Sequence, residues 1–381
     1  MLDAHKQSLA PTVSRGSARL RISRGFARLR HSFRRGMGAV LARLLGPRRF
    51  ATTLSLDGVQ SVLICRINGR MGNTLFLTPL IRHLHELLPQ ASIDLAIAYA
   101  QGPDLLGDMP GVRNIYLFPH KTNRMVRRFL GALYRLRKIR YDLAIDPVPE
   151  SNSGRVVMTL CRAQRRVGFV MSRQWAPLTH AVAPPREVMH QAAHPVFLLD
   201  QLIGRPYLPD SVRLSLPLRE EELAAGRQIV ERAAAVASGL SATSVIGFFA
   251  HAAGYKMLGR DWWTQFWNEF TSLEPAAMPL ECLPSTRHER TIERFPGFHV
   301  PSPRALSAAI ASMRVFVSTD TGPMHLASCT DVPTVALFRA SDPLQYGPLK
   351  SNDVSIDVGR MSAIQAARIC QSVWHGAVQP V

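Results

Sequence analysis

Short apolar segments alternate with helix-patterned segments over most of this 381-residue chain, and this alternation constrains the fold more than any other feature. Apolar runs bounded by glycine, proline or small polar residues are typical of buried strands, and helices between them are typical of crossover connections. A sheet covered by helices on both faces has parallel strands. The sequence therefore predicts an α/β fold.

The alternation falls into two sets. Strands of the first set are predicted at residues 61–67, 93–99, 114–118 and 141–146, with helices at 78–88 and 124–139. Strands of the second set are predicted at residues 245–250, 280–283, 315–320, 334–338 and 354–358, after a helix at 220–236. The proline-rich stretch at 175–217 is predicted to be an irregular link. Together the two sets predict two facing, doubly wound Rossmann-like domains with a cleft between them.

We place these domains at residues 59–216 and 217–359, followed by a helix and tail at 360–381. Residues 1–58 form a basic arm. The net charge of the chain is +19, and the first fifty residues hold Lys6 and eleven arginines against Asp3. Positive charge is therefore concentrated at one end of the chain.

Apolar residues of the arm recur every three or four positions from Ile22 to Leu44, while Arg24, Arg28 and Arg35 lie off that stripe. This pattern predicts a basic amphipathic helix that lies on an anionic membrane surface. A solvated arm, a nucleic-acid-binding arm and an organellar targeting peptide are the alternatives. The predicted helix at 124–139 is also basic, and is either a second membrane-facing surface or an ordinary solvated helix face.

The five cysteines are scattered and odd in number, which favours a reduced compartment without disulfide bonds. The sequence has no apolar run long enough to span a bilayer and no signal-peptide pattern. We therefore expect a cytoplasmic protein, peripheral at the inner face of the cytoplasmic membrane.

An acid, a hydroxyl and a glycine follow one predicted strand directly, in the segment Ser-Thr-Asp-Thr-Gly-Pro-Met-His-Leu-Ala-Ser at 318–328. A helix pattern begins there, and Pro323 suits a position just inside a helix start. Free backbone N–H groups at such a strand-to-helix turn favour an anion. The segment is therefore predicted to hold a phosphate beside a hydroxyl-bearing group.

This segment resembles glycosyltransferase family 9, the heptosyltransferase family of lipopolysaccharide core assembly. The resemblance rests on the block at 320–327 and on two blocks that follow it, one at 332–338 and one formed by 341–343 with 346–348. It extends back to about Ser61. It implies the GT-B fold of two facing Rossmann-like domains. It also implies transfer, with inversion, of a heptose or related sugar from a nucleoside-diphosphate donor such as ADP-heptose to a lipopolysaccharide-core-type glycolipid.

The resemblance implies roles for the residues of this turn. The aspartate that matches Asp320 contacts sugar hydroxyls of the donor, while Thr321 and Gly322 offer backbone donors to its phosphates. His325 lies in the first helical turn near the same anion. Asp320 as a helix cap and His325 as a core histidine are the alternatives.

Lys256, which follows the strand predicted at 245–250, matches a family lysine that contacts the donor phosphate; a surface lysine is the alternative. The aromatic residues of the helix that comes next are spaced for core packing rather than for base stacking. They are Trp263, Phe266, Trp267 and Phe270.

The first domain opens with a strand, glycines and a helix start, which again makes an anion-friendly turn. The turn resembles the family's amino-terminal motif, in which a Gly-Asp pair supplies the catalytic base. Here the pair is Gly72-Asn73, and an amide cannot accept a proton at neutral pH. The resemblance places the acceptor on the side of this turn, where Arg66, Arg70 and Gly72 lie. Arg66, Arg70 and Arg155 each either meet acidic groups of an acceptor or are solvated.

Three explanations of Asn73 remain open. Asp146 or Glu150, after the strand predicted at 141–146, takes the proton instead. Alternatively, Asn73 only orients the acceptor hydroxyl in a slower transfer, or the protein binds donor without turnover.

We predict no cofactor and no metal. The sequence contains no Asp-X-Asp, and His190 and His194 have the spacing of metal ligands without an evident third ligand. The predicted partners are a nucleotide-sugar donor, a glycolipid acceptor and an anionic membrane surface, and no nucleic acid is expected.

Overall fold

The computed structural model describes residues 50–119, 125–149, 151, 153–170, 178–235 and 245–377. Most of the predicted basic arm lies outside these residues, as does Glu150. The amphipathic helix of the arm therefore stays a prediction.

Six parallel strands form the first sheet, in the spatial order β3-β2-β1-β4-β5-β6. They are β1 (Ser61–Arg66), β2 (Ser92–Ile97), β3 (Val112–Leu117), β4 (Arg140–Asp146), β5 (Arg162–Phe169) and β6 (His180–Val182). Strand β1 lies between β2 and β4, so that Ile64 pairs with Leu95 on one side and Ile145 on the other. The strand order reverses between β1 and β4, and ligands of open α/β sheets bind beyond the carboxyl ends of strands at such a switch point.

The second sheet repeats this winding, in the order β9-β8-β7-β10-β11-β12. Its strands are β7 (Val245–Phe249), β8 (Met278–Cys282), β9 (Gly297–Phe298), β10 (Val315–Thr319), β11 (Thr334–Phe338) and β12 (Val354–Asp357). Its switch point lies between β7 and β10. The two parallel sheets confirm the predicted α/β fold, while the domain boundaries stay a prediction.

Helices connect the strands in the described residues. In the first half they are α1 (Met71–Leu75), α2 (Thr78–Leu87), α3 (Gly102–Leu106), α4 (Met125–Leu136), α5 (Ser153–Leu160) and α6 (Ala193–Ile203). In the second half they are α7 (Glu220–Ala235), α8 (Arg260–Leu273), α9 (Pro303–Ala311), α10 (Gly322–Ala327), α11 (Pro343–Tyr346) and α12 (Ala363–Trp374). None of the described helices has the length and apolar character that a membrane span requires.

Helix α8 shows how the helices bury their apolar stripes. Its four aromatic residues at helical spacing, Trp263, Phe266, Trp267 and Phe270, are fully buried. Trp267 packs on Phe248 of β7 at 4.7 Å between ring centroids. The prediction that these aromatics belong to the core is confirmed.

The irregular link predicted at 175–217 is wrong where α6 forms. The sequence of α6, AHPVFLLDQLI, is apolar on nearly all sides, and most of its residues are buried. A helix buried all round shows no amphipathic period. The sequence pattern also does not predict strands β5, β6 and β9, because β5 is largely polar and the other two are very short.

Candidate functional site

The turns that follow β1 and β10 touch one another between the two sheets. A Cβ atom added to Gly72 would lie 2.3 Å from Cδ2 of His325, and one added to Gly322 would lie 2.9 Å from Sδ of Met71. A side chain at Gly72 would collide with the buried His325 ring, and one at Gly322 would displace the Met71 side chain. These glycines therefore allow the turn of the first half and the turn of the second half to come into contact, which brings the predicted donor and acceptor sides together.

Lys256 and Asp320 meet at the switch point of the second sheet. Lys256 ends a single 3₁₀ turn (Gly254–Lys256) after β7, and Asp320 follows the neighbouring strand β10. The ammonium group of Lys256 forms an ion pair with Oδ2 of Asp320, and the hydroxyl of Ser341 donates a hydrogen bond to the same oxygen. The Asp320 side chain is only 6% exposed, whereas Lys256 is 31% exposed. The site thus has an enclosed carboxylate beside an accessible ammonium group.

This arrangement bears on the alternatives for Asp320 and Lys256, while their donor-binding roles stay predictions. The helix-cap alternative for Asp320 is wrong, because Thr321 occupies the N-cap position of α10 and Lys256 engages the Asp320 carboxylate. The Thr321 hydroxyl donates to the carbonyl of Thr319 at 3.1 Å. Lys256 is paired rather than free. The sequence assigns no role to Ser341, although Ser341 lies in the block at 341–343 that resembles family 9.

His325 lies deep in the contact between the two halves. Its ring packs edge-on against Phe76 at 4.8 Å, and its Nδ1 has no hydrogen-bond partner within the described residues. The pKa of His325 is lowered to about 4, chiefly by burial; the Asp320 carboxylate opposes this shift and the Lys256 ammonium group contributes to it. His325 is therefore neutral at physiological pH, and it contacts Gly72 across the boundary between the halves.

Arg66 and Asn73 come together on the acceptor side. Arg66, the last residue of β1, is 6% exposed and donates to Oδ1 of Asn73 at 3.3 Å. Burial lowers the pKa of Arg66 to about 10, while nearby Asp146 and Tyr346 act in the opposite direction. The solvated alternative for Arg66 is wrong. Arg70 is exposed.

Asp146 is enclosed at the end of β4. Its Oδ2 lies 3.0 Å from Nε of Arg155, and the two side chains are 0% and 1% exposed. Burial raises the pKa of Asp146 to about 6, although Arg155, Ser151 and Arg66 lower it. The solvated alternative for Arg155 is therefore wrong. An acceptor hydroxyl could reach Asp146 only if this ion pair opened, so the catalytic role of Asp146 stays a prediction.

His190 and His194 have structural environments. Nδ1 of His190 accepts from the amide of Ala192 at 3.1 Å, so its Nε2 carries the proton and donates to the carbonyl of Gly347 at 3.0 Å. The ring of His194 packs edge-on against Phe169. Within the described part of the chain, no group of three or more His, Cys, Asp or Glu side chains is placed to hold a metal ion.

The comparisons with known proteins point to one family. The family model described as glycosyltransferase family 9 (heptosyltransferase) matches the segment that runs from α9 to α12 and contains Asp320, His325 and Ser341. Residues 304–372 match glycosyltransferase family 9. The match confirms the resemblance seen in the sequence. No curated protein sequence matches the chain.

Solved structures resemble the family 9 segment together with the rest of the fold. A glycosyltransferase family 9 protein from Veillonella parvula has a TM-score of 0.70 at 16% identity, covering 86% of this chain and 100% of that protein. E. coli heptosyltransferase WaaC, solved with ADP, has a TM-score of 0.64 at 15% identity, covering 82% and 100%. E. coli ADP-heptose lps heptosyltransferase II has a TM-score of 0.64 at 18% identity, covering 83% and 99%. At these identities the likeness concerns the fold, and it agrees with the predicted GT-B architecture.

The histidines around the family 9 turn predict a loss of stability in acid. Burial lowers the pKa of His190, His194 and His325 to about 4, against an ordinary value of 6.5. The unfolded chain therefore binds protons that the folded chain excludes, and the free energy of unfolding falls as the pH drops from about 6.5 to about 4. Asp146 acts in the opposite sense, because its folded-state pKa of about 6 lies above its ordinary value. Three imidazoles against one carboxyl leave a net loss on the order of 2 kcal/mol per pH unit.

Urea unfolding at neutral pH and in mild acid measures this slope, which is the change in the free energy of unfolding per pH unit. His194→Gln removes one of the three imidazoles and should flatten the slope. His288→Gln, at an exposed position and in no ion pair of the described residues, should leave the slope unchanged. A stability that stays constant or rises in acid would contradict the prediction.

Proposed function

We propose that this protein is a glycosyltransferase, which transfers a heptose or related sugar from a nucleoside-diphosphate donor to a lipopolysaccharide-core-type glycolipid. The observation that carries the proposal is the cluster of Lys256, Asp320 and Ser341. It lies at the switch point of the second sheet, and two of its three members lie in the family 9 segment. The turn beside it contacts the first half through Gly72 and His325.

The donor side has the chemistry that the leaving diphosphate requires. Lys256 places a point charge on the diphosphate and offsets the negative charge that develops as the glycosidic bond breaks. Asp320 accepts hydrogen bonds from sugar hydroxyls, and the backbone N–H groups of Thr321 and Gly322 donate to phosphate oxygens. Because Lys256 supplies the positive charge, transfer in this proposal is independent of a divalent metal.

The choice of donor in this proposal is supported by the names of the similar proteins. WaaC was solved with ADP, and ADP-heptose is named for the other E. coli heptosyltransferase. We therefore take ADP-heptose as the donor to test first. Without donor His325 is neutral, and its ring packs the turn against Phe76; a bound diphosphate would raise the pKa of His325.

The acceptor binds on the side of Arg66, Arg70 and Gly72. An incoming hydroxyl attacks the anomeric carbon opposite the diphosphate, which inverts the configuration. The proton goes to Asp146 after the Arg155 pair opens or to Glu150, which lies outside the described residues. Alternatively, Asn73 only orients the hydroxyl and the transfer is slower. Closure of the cleft would exclude the water that hydrolyses the donor.

A protein that binds donor without turnover is the second candidate, and two observations favour it. Asn73 replaces the expected base and its oxygen is occupied by Arg66, while Asp146 is paired and 0% exposed. Under this proposal the donor side is retained and the acceptor side lacks a group to take the proton.

We further propose that the protein acts in the cytoplasm at the inner face of the cytoplasmic membrane, where a glycolipid acceptor would be presented. The basic arm supports this location through its charge and its apolar stripe.

Calorimetric titration with ADP-heptose, run beside a transfer assay on lipopolysaccharide-core acceptors, tests the proposal. We expect saturable binding together with formation of a glycosylated lipid. Binding without transfer to any core acceptor would favour the second candidate. No binding of ADP-heptose or of other nucleotide sugars would exclude both candidates.

A further inference from the structure

Helix α4 presents an exposed face that combines apolar side chains with positive charge only. Residues 125–140 contain Arg127, Arg128, Arg135, Arg137, Lys138 and Arg140 and no acidic residue. Leu130 is 56% exposed and Tyr134 is 66% exposed on the same helix. The pair forms a small apolar patch within a basic face, and such a patch is a candidate interaction surface.

The inner side of α4 is already used by the core. Ala132, Leu133 and Leu136 are buried against the first sheet, in a cluster that includes Leu63 of β1 and Tyr116 of β3. The exposed residues therefore do not represent an incompletely packed helix. They form a second, outward face, which we call the α4 face: Arg127, Arg128, Leu130, Tyr134, Arg135 and Lys138.

Within the described residues, no carboxylate forms an ion pair with Arg127, Arg128, Arg135 or Lys138 of the α4 face. Lys138 instead lies over the ring of Tyr134, with its Nζ 4.9 Å from the ring centroid. Leu130 follows Arg127 by three residues and Tyr134 precedes Lys138 by four, so at helical spacing the apolar pair lies next to cations on the same surface.

We propose that the α4 face docks on an anionic lipid bilayer. Lipid headgroups supply negative charge over an extended plane, which matches a face with several cations and no acid. Leu130 enters the boundary between headgroups and acyl chains, Tyr134 keeps its hydroxyl at the headgroup level, and the long basic side chains extend to the phosphates. A nucleic acid would satisfy the arginines but would leave Leu130 in water.

The direction of α4 gives this docking a consequence for the cleft. A crossover helix returns antiparallel to the strands that it connects, so α4 begins near the sheet edge at which β1 and β4 end. That edge holds Arg66 and Asp146. Docking through α4 would bring the acceptor side of the cleft to the membrane surface. This consequence rests on the proposed function, whereas lipid binding itself does not.

Vesicle flotation with the full chain tests the proposal, using equimolar phosphatidylglycerol and phosphatidylethanolamine, with phosphatidylcholine vesicles as the neutral comparison. The triple variant Arg127→Gln, Arg128→Gln and Arg135→Gln should bind anionic vesicles about 10- to 100-fold more weakly. The control variant Arg205→Gln, Arg213→Gln and Arg227→Gln removes the same charge from exposed positions elsewhere and should bind like the unmodified chain. Leu130→Ser with Tyr134→Ser tests the apolar pair and should weaken binding at high salt, where charge is screened.

Hydrogen exchange gives a local readout that separates α4 from the basic arm. Amides of 127–138 should exchange more slowly when anionic vesicles are present, and this protection should disappear in the triple variant. Equal vesicle binding by the triple variant and its control would overturn the proposal. Protection limited to residues 1–49 would also overturn it. So would a triple variant that lost binding to duplex DNA, measured in parallel, but bound anionic vesicles like the unmodified chain. Retention of ADP-heptose binding by the triple variant distinguishes a failed docking surface from a failed donor site.

Discussion

Lys256→Met should weaken binding of the nucleotide-sugar donor about 10- to 100-fold, because a hydrogen bond to a charged group is worth about 1.5–3 kcal/mol. Methionine keeps the length of the side chain and removes its ammonium group. It also leaves the Asp320 carboxylate, which is 6% exposed, without its cation. Calorimetric titration with ADP-heptose measures the effect.

Two further variants make this result specific. Asp320→Asn should weaken donor binding as well, since the amide accepts sugar hydroxyls less strongly and no longer pairs with Lys256. Arg368→Met on α12 removes one positive charge from a surface ion pair with Glu269 of α8 and should leave donor affinity unchanged. If both site variants bound donor like the unmodified chain, the assigned donor site would be wrong.

Asn73→Asp should raise the rate of glycosyl transfer by about 10²-fold, the lower end of what a general base contributes. The new carboxylate would stand where the family's motif has its base. Arg66 lies 3.3 Å from Oδ1 of Asn73 and would hold the carboxylate in its charged form, which also makes it a weaker base. Single-turnover measurements with saturating donor separate this rate from donor binding.

Asn73→Ser is the matched control, because it removes the amide without introducing a carboxylate, and it should give no increase. Donor affinity should be similar in all three proteins, since Asn73 lies on the acceptor side. An Asn73→Asp protein that is no faster than the unmodified chain would show that a missing base at this position does not limit turnover. Loss of the remaining rate in Asp146→Asn, with the fold retained, would then favour Asp146.

The strands that could be predicted are those with a strong local pattern. Thr334–Phe338 was predicted to the residue, and Val315–Thr319 with one residue too many, because both are apolar runs buried on both faces of a sheet. Strand β5 escaped prediction because its first residues are mainly polar. Its pairing with β4 depends on the packing of the sheet and not on its own composition.

The candidate site also contains residues that a local sequence pattern identifies and residues that it does not. The turn at Asp320 could be identified because its residues are consecutive in the chain and follow a buried strand. Ser341 is separated from Asp320 by β11, and its hydrogen bond to the Asp320 carboxylate could not be seen in any local pattern.

The sequence by itself determined the parallel α/β fold, the aromatic core of α8 and the position of the turn at Asp320, since each follows from hydrophobic periodicity or from residues adjacent in the chain. Only the tertiary structure decided that Arg155 encloses Asp146, that Arg66 occupies the oxygen of Asn73 and that His325 packs on Gly72. These contacts depend on how strands and helices distant in the chain pack against one another. Burial then sets the charge state of each group, because a low-polarity environment disfavours an unpaired ion.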